Sequence, residues 1–411
     1  MSHKKLLVIG GGAAGFFCAV NAARLNPHLQ VTLVEKTSKL LSKVKISGGG
    51  RCNVTHALFD IAEMSKRYPR GHNFVKKTFH QFFTTDTINW FAERGVAIKR
   101  EADGRMFPAT NTSQTIIDCL MQEANQNRVT IMMNAEVKEL VSKEGGWRIR
   151  LANEKKLEAD FICVACGGYP KTAMFGWLQS LGHTIAEPVP SLFTFNLPKH
   201  PITHLMGVSV PQVRVKIEGS KLTEEGPLLI THWGLSGPVV LRLSAWGARE
   251  LFQKQYDFKA HINWCPPYNE QTLKAELQTI RNQHNAQKVS NTNVAQLPGR
   301  LWHFLLEQSG VALDNRWADL PARVENSLIR NLVDYVVEVK GKTTFKEEFV
   351  TAGGISLSEV DPNTMMSRKA PNLFFAGEIL DVDGITGGFN FQHAWTSGCI
   401  AARHISQLEV T

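Results

Sequence analysis

The start of the chain alternates between short apolar runs and a stretch of small residues at helical spacing. Leu6 to Ile9 is an apolar run with the length of a buried strand, and Val31 to Val34 is a second such run. Between them, Phe16 to Leu25 carries three alanines, which suit a helix that lies close on a sheet. This order predicts a strand–helix–strand unit of a parallel α/β sheet.

Three glycines join the first predicted strand to the helix. Gly10, Gly12 and Gly15 fit the spacing G-x-G-x-x-G, and Glu35 follows the second strand directly. The first glycine permits a tight turn, the second lets a pyrophosphate approach the backbone, and the third lets the helix pack on the strand. A helix N-terminus attracts phosphate, and a carboxylate here accepts hydrogen bonds from ribose hydroxyls but repels a 2′-phosphate. The unit therefore predicts a site for a dinucleotide whose adenosine ribose is unphosphorylated.

Further glycine-rich blocks follow later in the chain. Lys45 to Asn53 holds three consecutive glycines among polar and cationic residues, so its N–H groups can face an anion or a flat ring. Asp160 to Gly168 is an apolar run that ends in two glycines, and Asn372 to Glu378 is another that ends in Gly-Glu. A glycine-rich segment and a helix of small residues follow Glu378. We expect the end of the chain to complete the domain that its beginning starts.

The pattern changes between Pro188 and about Lys342, where alternating strands precede three segments of helical periodicity. Within this part, residues 231–238 form a predicted glycine loop, in which His232 and Ser236 are either substrate-side groups or cap and turn residues. We expect residues 105–108 to be a turn and 351–355 a glycine turn. The predicted domains are 1–188 and 343–411 for nucleotide binding, with 189–268 as an inserted β-rich part and 269–342 as an inserted helical part.

Composition predicts where in the cell the protein is located and argues against a membrane-spanning segment. The 411 residues are 43% hydrophobic and 20% charged, which is typical of a globular protein, and no apolar run is long enough to cross a bilayer. The first strand begins near Lys4, which leaves no room for a signal peptide. Seven widely spread cysteines do not form a disulfide pattern. We therefore expect a cytoplasmic protein without a metal site, and a monomer rather than an oligomer.

Charge is concentrated in one stretch. Residues 36–105 carry fourteen Lys or Arg and six Asp or Glu, which accounts for +8 of the net charge of +9. Aromatic residues lie among these charges, a combination that suits a phosphate backbone with unstacked bases. The alternative is a solvated basic face over buried rings, because most of the rings fall at near-helical spacing. The rings are Phe59, Tyr68, Phe74, Phe79, Phe82, Phe83, Trp90 and Phe91.

Taken together, these blocks resemble the BaiN-like (YhiN-like) flavoproteins over essentially the whole chain. The matching blocks are Gly10–Gly15 with Glu35, Lys45–Asn53, Thr231–Pro238, Thr351–Ile355 and Gly377–Gln392. The resemblance implies a discontinuous Rossmann-like FAD-binding domain with an inserted β-barrel and helical subdomain. It also implies FAD in the N-terminal glycine-rich site.

The motifs and the resemblance together predict the residues that bind the cofactor. Asp383 corresponds to the acid of the family's terminal FAD motif, and Cys166 stands where many relatives have a threonine, which is a better hydrogen-bond donor. The predicted set is Gly10, Gly12, Ala13, Ala14, Gly15, Glu35, Lys36, Lys45, Ser47, Gly48, Gly49, Gly50, Arg51, Cys52, Asn53, Val137, Cys166, Gly167, Gly168, Gly377, Glu378, Asp383, Gly387, Gly388, Phe389 and Asn390.

The resemblance implies an FAD-dependent oxidoreductase with NAD(P)H as the reductant. NAD(P)H would dock transiently, because the chain has no second G-x-G-x-x-G. Members of the family are linked to reduction of a ring double bond in bile-acid intermediates, oxidation of an amino-ketone, and reduction of uridine in ribosomal RNA.

The basic stretch favours the RNA substrate, with hydride addition at C6 of uracil and proton addition at C5. Cys52 is the candidate proton donor, or else a buried thiol packed against the cofactor. A small-molecule enone reductase or a peroxide-forming amino-ketone oxidase remains an alternative. So does a non-enzymatic, FAD-stabilised RNA-binding protein.

Overall fold

The apolar runs at the start of the chain form neighbouring parallel strands, as their pattern predicts. In the computed structural model, which describes residues 3–343 and 350–408, β1 (Lys5–Ile9) is connected by α1 (Ala13–Leu25) to β2 (Gln30–Val34). The two strands pair in parallel from Lys5 opposite Gln30 to Ile9 opposite Val34. Four of the five residues of β1 are buried, which explains why this strand is apolar throughout rather than alternating.

Residues 3–191 and 350–408 form one compact unit, and residues 192–343 form a second. The further helices and strands of the first unit up to residue 191 are α2 (Ser42–Gly50), β3 (Thr55–His56), α3 (Ile61–Ser65), α4 (His72–Phe79), α5 (Thr84–Ala92), β4 (Ile98–Arg100), β5 (Arg105–Pro108), α6 (Gln114–Gln126), β6 (Thr130–Met132), β7 (Val137–Lys143), β8 (Gly146–Leu151), β9 (Lys156–Ala159), β10 (Phe161–Val164), α7 (Gly176–Gln179) and β11 (Ile185–Ser191).

The expectation of a turn at residues 105–108 is wrong. This segment is β5, the central strand of an antiparallel sheet with the order β3-β5-β4. Met106 lies opposite Thr55 on one side and opposite Arg100 on the other. The ladder partner on β3 lies about fifty residues earlier in the chain, so local composition did not indicate the pairing.

The aromatic residues of the basic stretch are mostly core residues. Helices α4 and α5 bury Phe74, Phe79, Trp90 and Phe91, and Tyr68 is buried as well. Phe59, in contrast, is 57% exposed. The interpretation of these rings as core is therefore confirmed for all of them except Phe59.

The second unit contains an antiparallel sheet and helices that share one hydrophobic core with it. The sheet has seven strands in the order β17-β16-β13-β14-β15-β12-β18, so strands that follow the helices in sequence return to it. The elements are β12 (Thr194–Asn196), β13 (Ser209–Ile217), β14 (Thr223–Thr231), β15 (Gly234–Ser236), α8 (Pro238–Trp246), α9 (Ala248–Gln253), β16 (Asp257–Asn263), α10 (Glu270–Gln283), α11 (Gly299–Gln308), α12 (Ala322–Val333), β17 (Tyr335–Lys340) and β18 (Lys342–Thr343).

The segment 231–238 is only partly the loop that its glycines suggested. It contains β15, which pairs with β14 so that Thr231 lies opposite Gly234, and α8 begins at Pro238. His232 is exposed at the turn between these strands, and Ser236 is half-buried in β15.

The chain then returns to the first unit with β19 (Val350–Ile355), β20 (Leu373–Phe375) and α13 (Phe389–Gln407). β20 completes a five-stranded parallel sheet with the order β20-β10-β1-β2-β6, which confirms the predicted fold class. Residues 351–355 are a correction, because they form a strand paired antiparallel with β11 and not a turn. Among the described residues, no helix has the length and apolar character needed to span a membrane.

The strand β19 requires a glycine at position 354. Its φ of +150° and the position of an added Cβ, 2.4 Å from the carbonyl oxygen of Ile379, both exclude a side chain. We expect Gly354→Ala to lower the free energy of unfolding by about 2–4 kcal/mol, measured by urea denaturation. Gly176→Ala is the control, because Gly176 begins a helix at φ −51° and an added Cβ would meet no atom within 4 Å. Equal midpoints for the two variants would contradict this explanation.

Candidate functional site

The N-terminus of α1 is the centre of the candidate site. No side chain caps this helix, and a Cβ added to its N-cap residue, Gly12, would meet no atom within 4 Å. A Cβ at Gly15 would instead lie 1.9 Å from the carbonyl oxygen of Gly10. Gly15 is therefore required by packing within the protein, whereas Gly12 leaves open space in front of free helix N–H groups.

The glycine-rich turns that follow β1 and β10 meet at the carboxyl ends of these strands. A Cβ at Gly10, whose φ is +115°, would lie 2.5 Å from the carbonyl oxygen of Ala165 and 2.6 Å from Cα of Cys166. The Cys166 thiol donates to the Tyr169 hydroxyl at 3.3 Å, and burial raises the pKa of this thiol to about 11. Cys166 is therefore a neutral thiol. The amino group of Lys36 lies over the ring of the same tyrosine, Tyr169, 5.7 Å from its centre.

Glu35 lies directly against the first glycine turn. Its carboxylate accepts hydrogen bonds from the N–H of Gly11 and from the N–H and hydroxyl of Thr37, each at 2.9 Å. The carbonyl of Glu35 accepts from the N–H of Ala135 at 2.8 Å, two residues before the buried Val137. These contacts hold the carboxylate at the position where the motif predicts contact with a ribose.

The three glycines at 48–50 form an irregular end to α2. Gly48, Gly49 and Gly50 all have left-handed φ values, and added Cβ atoms at Gly49 and Gly50 would meet no atom within 4 Å. Arg51, predicted to serve a diphosphate, pairs with Glu101 at 2.6 Å and lies 3.9 Å from the centre of the Phe107 ring. Its charge is therefore largely compensated within the protein, whereas Lys45 is exposed.

The position of Cys52 weighs against its predicted role as a proton donor. The residue is 0% exposed and has a left-handed φ of +62°. Burial raises the pKa of its thiol to about 12, and a hydrogen bond with Ser47 opposes this only in part. A buried thiol with so high a pKa releases its proton poorly near neutral pH.

Asn53 connects this block to the terminal one. In the orientation that satisfies its hydrogen bonds, its amide donates to the carbonyl of Thr55 at 3.1 Å and accepts from the N–H of Gly388 at 3.0 Å. The His56 ring contacts the carbonyl of Gly387 through Nδ1 at 2.9 Å and stacks on Phe389. The side chain of Asn390 closes the adjoining loop through two hydrogen bonds with Gly384.

Glu378 joins four segments of the site. Its carboxylate accepts from the N–H of Thr351 at 2.9 Å and forms an ion pair with Lys43. A Cβ at Gly168 would lie 3.1 Å from a Glu378 carboxylate oxygen, and a Cβ at Gly377 would lie 2.8 Å from Cβ of Ala14. The glycine turns after β10 and β20 therefore meet beside the start of α1.

Asp383 has a different environment from the one that the family motif suggested. Its side chain is 0% exposed, forms an ion pair with Arg70 and accepts a hydrogen bond from the Ser191 hydroxyl at 2.9 Å. Burial raises the pKa of this carboxyl, and Arg70 opposes the shift. These contacts fix the loop that carries Asp383, and its contact with the cofactor stays a prediction.

Sequence reasoning missed Lys43 and Arg70, whose partners lie more than three hundred residues away in the chain. It also missed Thr351, whose partner lies 27 residues further on. It also missed His393 on α13, which is 2% exposed. Its Nε2 lies 3.3 Å from the carbonyl oxygen of Gly377, and among the described residues its Nδ1 has no hydrogen-bond partner. Burial lowers the pKa of His393 to about 4, so the imidazole is neutral and its proton lies on Nε2.

No metal centre accompanies these groups in the described part of the chain, where no cluster of three or more His, Cys, Asp or Glu is arranged for one. The seven cysteines are free thiols. The site is thus built from backbone N–H groups, open glycine surfaces and compensated carboxylates. This combination is suited to a large anionic ligand with hydroxyl groups.

Comparison with known proteins agrees with this geometry. The model of the HI0933-like protein Rossmann domain matches residues 4–404. The chain is 32% identical to the ribosomal RNA dihydrouridine synthase of Escherichia coli K12, over 98% of each chain. It is 28% identical to the 3-dehydro-bile acid delta(4,6)-reductase of Clostridium scindens, over 96% of this chain and 97% of that one.

Solved structures share the fold at low sequence identity. The 3-ketosteroid-delta4-(5alpha)-dehydrogenase of Rhodococcus jostii RHA1 has 13% identity and a TM-score of 0.51, with 98% of each chain covered. A flavocytochrome c3 fumarate reductase has 15% identity and a TM-score of 0.52, with 99% of this chain and 79% of that one covered. The chain thus shares the fold of these two enzymes. The family match and the two relatives show that the protein is an enzyme of the oxidoreductase class. The chain belongs to the HI0933-like family, which confirms the resemblance drawn from its motifs.

The burial of His393 predicts a specific pH dependence of stability. An unfolded histidine takes up a proton near pH 6.5, whereas folded His393 does so only near pH 4, so stability falls as the pH falls between these values. We expect His393→Gln to remove about 3 kcal/mol of this loss between pH 7 and 4, measured by urea denaturation. Exposed His80→Gln is the control and should follow the wild-type curve. Parallel curves for wild type and His393→Gln would contradict the assignment.

Proposed function

We propose that this protein is an FAD-dependent oxidoreductase that uses NAD(P)H to reduce an unsaturated substrate, with uridine in ribosomal RNA as the lead candidate. The observation that supports the cofactor most strongly is the meeting of three glycine-rich turns, those after β1, β10 and β20, beside the uncapped N-terminus of α1. The proposed substrate of the protein is supported by the two named relatives and by the distribution of surface charge.

The residues present fit FAD. A Cβ added at Gly12, Gly49 or Gly50 would enter open space that a ligand can fill. Only Gly49 and Gly50 also need glycine for their left-handed backbone conformation. Under this proposal, Gly12 and the first turn of α1 hold the pyrophosphate, and Glu35 binds the adenosine ribose. The glycine turns around Gly49, Gly168 and Gly388 supply N–H groups for the remainder of the cofactor. FAD, when bound, supplies reversible two-electron chemistry that protein side chains lack.

The charges that remain free on the surface support a polyanionic substrate. Six of the fourteen cations between residues 36 and 105 form ion pairs with acids: Lys43, Arg51, Lys66, Arg70, Arg94 and Arg105. In the described part of the chain, the others have no acidic partner within ion-pair distance: Lys36, Lys39, Lys45, Arg67, Lys76, Lys77, Lys99 and Arg100. The rings are mostly buried and offer little surface for base stacking, so binding of RNA would depend mainly on phosphate contacts.

Reduction of uracil to dihydrouracil adds a hydride equivalent and a proton across the C5–C6 bond. The protein must therefore orient the base and provide a proton at C5. The burial of Cys52 weighs against that residue as the donor. Transient use of NAD(P)H, a cytoplasmic location and a monomeric state remain part of the proposal.

A small-molecule reductase is the second candidate, because the Clostridium scindens relative is named as a bile-acid reductase and matches nearly the whole chain. Such an enzyme has no need for the free surface cations. The two candidates therefore differ in whether RNA or a small enone accepts the electrons.

Gly12→Ala tests the proposed cofactor site without disturbing the fold. Gly12 has φ −93° and open space around an added Cβ, so we expect an unchanged urea midpoint for the cofactor-free protein. The methyl group would obstruct the pyrophosphate, and we expect FAD affinity to fall at least about tenfold, or ~1.4 kcal/mol, in a titration followed by flavin fluorescence. Gly176→Ala is the control. Unchanged FAD affinity in Gly12→Ala would exclude the pyrophosphate from this turn.

The substrate is tested with protein whose flavin has been reduced anaerobically. We expect ribosomal RNA from a strain that lacks this gene to reoxidise the flavin, with dihydrouridine detected by nucleoside mass spectrometry. The flavin-depleted Gly12→Ala protein should form none. Reoxidation by a small enone or by O2 but not by RNA would overturn the RNA substrate and favour the second candidate. RNA binding without reoxidation of the flavin by RNA, an enone or O2 would favour a non-enzymatic role.

A further inference from the structure

A cleft of about 520 Å³ lies in the first unit, outside the glycine-rich turns. One wall is the first turn of α4, with Gly71, His72 and Phe74, and the other is formed by residues of the segment 357–368. Its volume is within the range of small-ligand sites, which typically have about 300–1,000 Å³. The motif analysis did not indicate this cleft, because its two walls lie almost three hundred residues apart in the chain.

The charged and titratable side chains that line the cleft are all basic. They are His72, Lys77 and Arg368, and none of the lining residues is acidic. Lys77 has no ion pair with any acid of the described residues, and Arg368 forms only a long one among them, with Asp361 at 3.9 Å. The cleft also contains the start of α4, whose N-cap residue Gly71 provides no side-chain cap. A phosphate group would compensate this concentration of positive charge.

Apolar residues of the cleft favour a nucleotide over an isolated phosphate. Phe74 and Val360 are buried beneath it, and Leu357 and Pro362 also line it. An unstacked base or a ribose can pack against such a surface while its phosphate contacts the cations. The lining thus combines the two features by which proteins hold a nucleotide of single-stranded RNA.

The cleft is joined to the candidate site through adjacent residues. A Cβ at Gly71 would lie 2.6 Å from a Val382 methyl group and 3.2 Å from the carbonyl oxygen of Asp381. Arg70, the preceding residue, pairs with Asp383 in the loop that leads to Gly387 and Phe389. A chain seated in the cleft is therefore in reach of the segment that carries the terminal glycine motif.

We propose that this cleft binds a nucleotide that flanks the reacting uridine in the RNA substrate. The inference rests on the proposed function, because a polynucleotide must be the substrate for a flanking nucleotide to exist. Lys77 and Arg368 contact its phosphate, and the apolar wall contacts its base or ribose. The cleft thereby contributes to the choice of RNA over a free nucleoside.

The test compares two double variants of equal charge. Lys77→Gln with Arg368→Gln removes two cations of the cleft. Lys155→Gln with Arg128→Gln removes one exposed Lys and one exposed Arg that lie outside both the cleft and the basic stretch. Affinity for a fluorescent single-stranded fragment of ribosomal RNA is measured by anisotropy over a series of salt concentrations, with melting temperature as a check on folding. We expect about tenfold weaker binding and a salt slope shallower by about 1 for the cleft variant, and less than about twofold weakening for the control.

Equal losses of affinity in the two variants would overturn the proposal. So would a loss of NADPH binding in the cleft variant with RNA affinity unchanged, because the cleft would then hold a phosphate of the reductant. Photo-crosslinking of 4-thiouridine RNA to the wild-type holoenzyme gives a second measurement that depends on no variant. Crosslinks in residues 71–77 or 357–368 are expected, and crosslinks confined to other peptides would contradict the assignment.

Failure of the proposed function is recognised separately. Wild-type protein that forms no dihydrouridine would contradict the RNA-reductase function, whatever the variants do. If wild type forms dihydrouridine and the cleft variant binds RNA like the control variant, the function stands and the cleft assignment is wrong.

Discussion

Close contact between backbones at the start of α1 is the constraint on which the first unit depends. A Cβ at Gly15 would lie 1.9 Å from the Gly10 carbonyl oxygen, one at Gly10 would lie 2.5 Å from that of Ala165, and one at Gly398 would lie 2.7 Å from that of Ala14. Backbone atoms cannot move aside as a flexible side chain can, so these positions admit glycine alone. The contacts bring α1, α13 and the carboxyl ends of β1 and β10 together, and the uncapped N–H groups of α1 remain open as a result.

Hydrogen bonds and ion pairs of three carboxylates hold the glycine turns around the start of α1. Glu35 accepts from the backbone of the first glycine turn, Glu378 pairs with Lys43, and Asp383 pairs with Arg70. The last two pairs join segments more than three hundred residues apart. The Arg70–Asp383 pair is buried, and a buried ion pair adds little net stability but is costly to break on one side, typically by about 3–5 kcal/mol. Such pairs therefore fix the position of a loop more than they stabilise the fold.

The basic stretch has fewer free cations and exposed rings on its surface than its composition indicates. Internal ion pairs compensate part of its cations, and nearly all of its rings belong to the core. What remains is a set of exposed lysines and arginines, of which Lys77 lies in a cleft together with a cation from a distant segment, Arg368. The positive charge that remains free is thus concentrated at particular positions and is not a property of the whole stretch.

The sequence by itself determined the parallel sheet, the glycine turn before α1, and the family, because these depend on local periodicity and on motifs whose residues are close in the chain. It also indicated that most rings at helical spacing are buried. Only the tertiary structure decided that residues 105–108 and 351–355 are strands. The central position of 105–108 depends on the distant strand β3 as well as on the nearby β4, and 351–355 pairs with the distant strand β11. The same reason applies to the side chains: the burial of Cys52, the pairing of Asp383 with Arg70 and the neutral state of His393 depend on which distant groups pack against them. Local sequence carries no record of those neighbours.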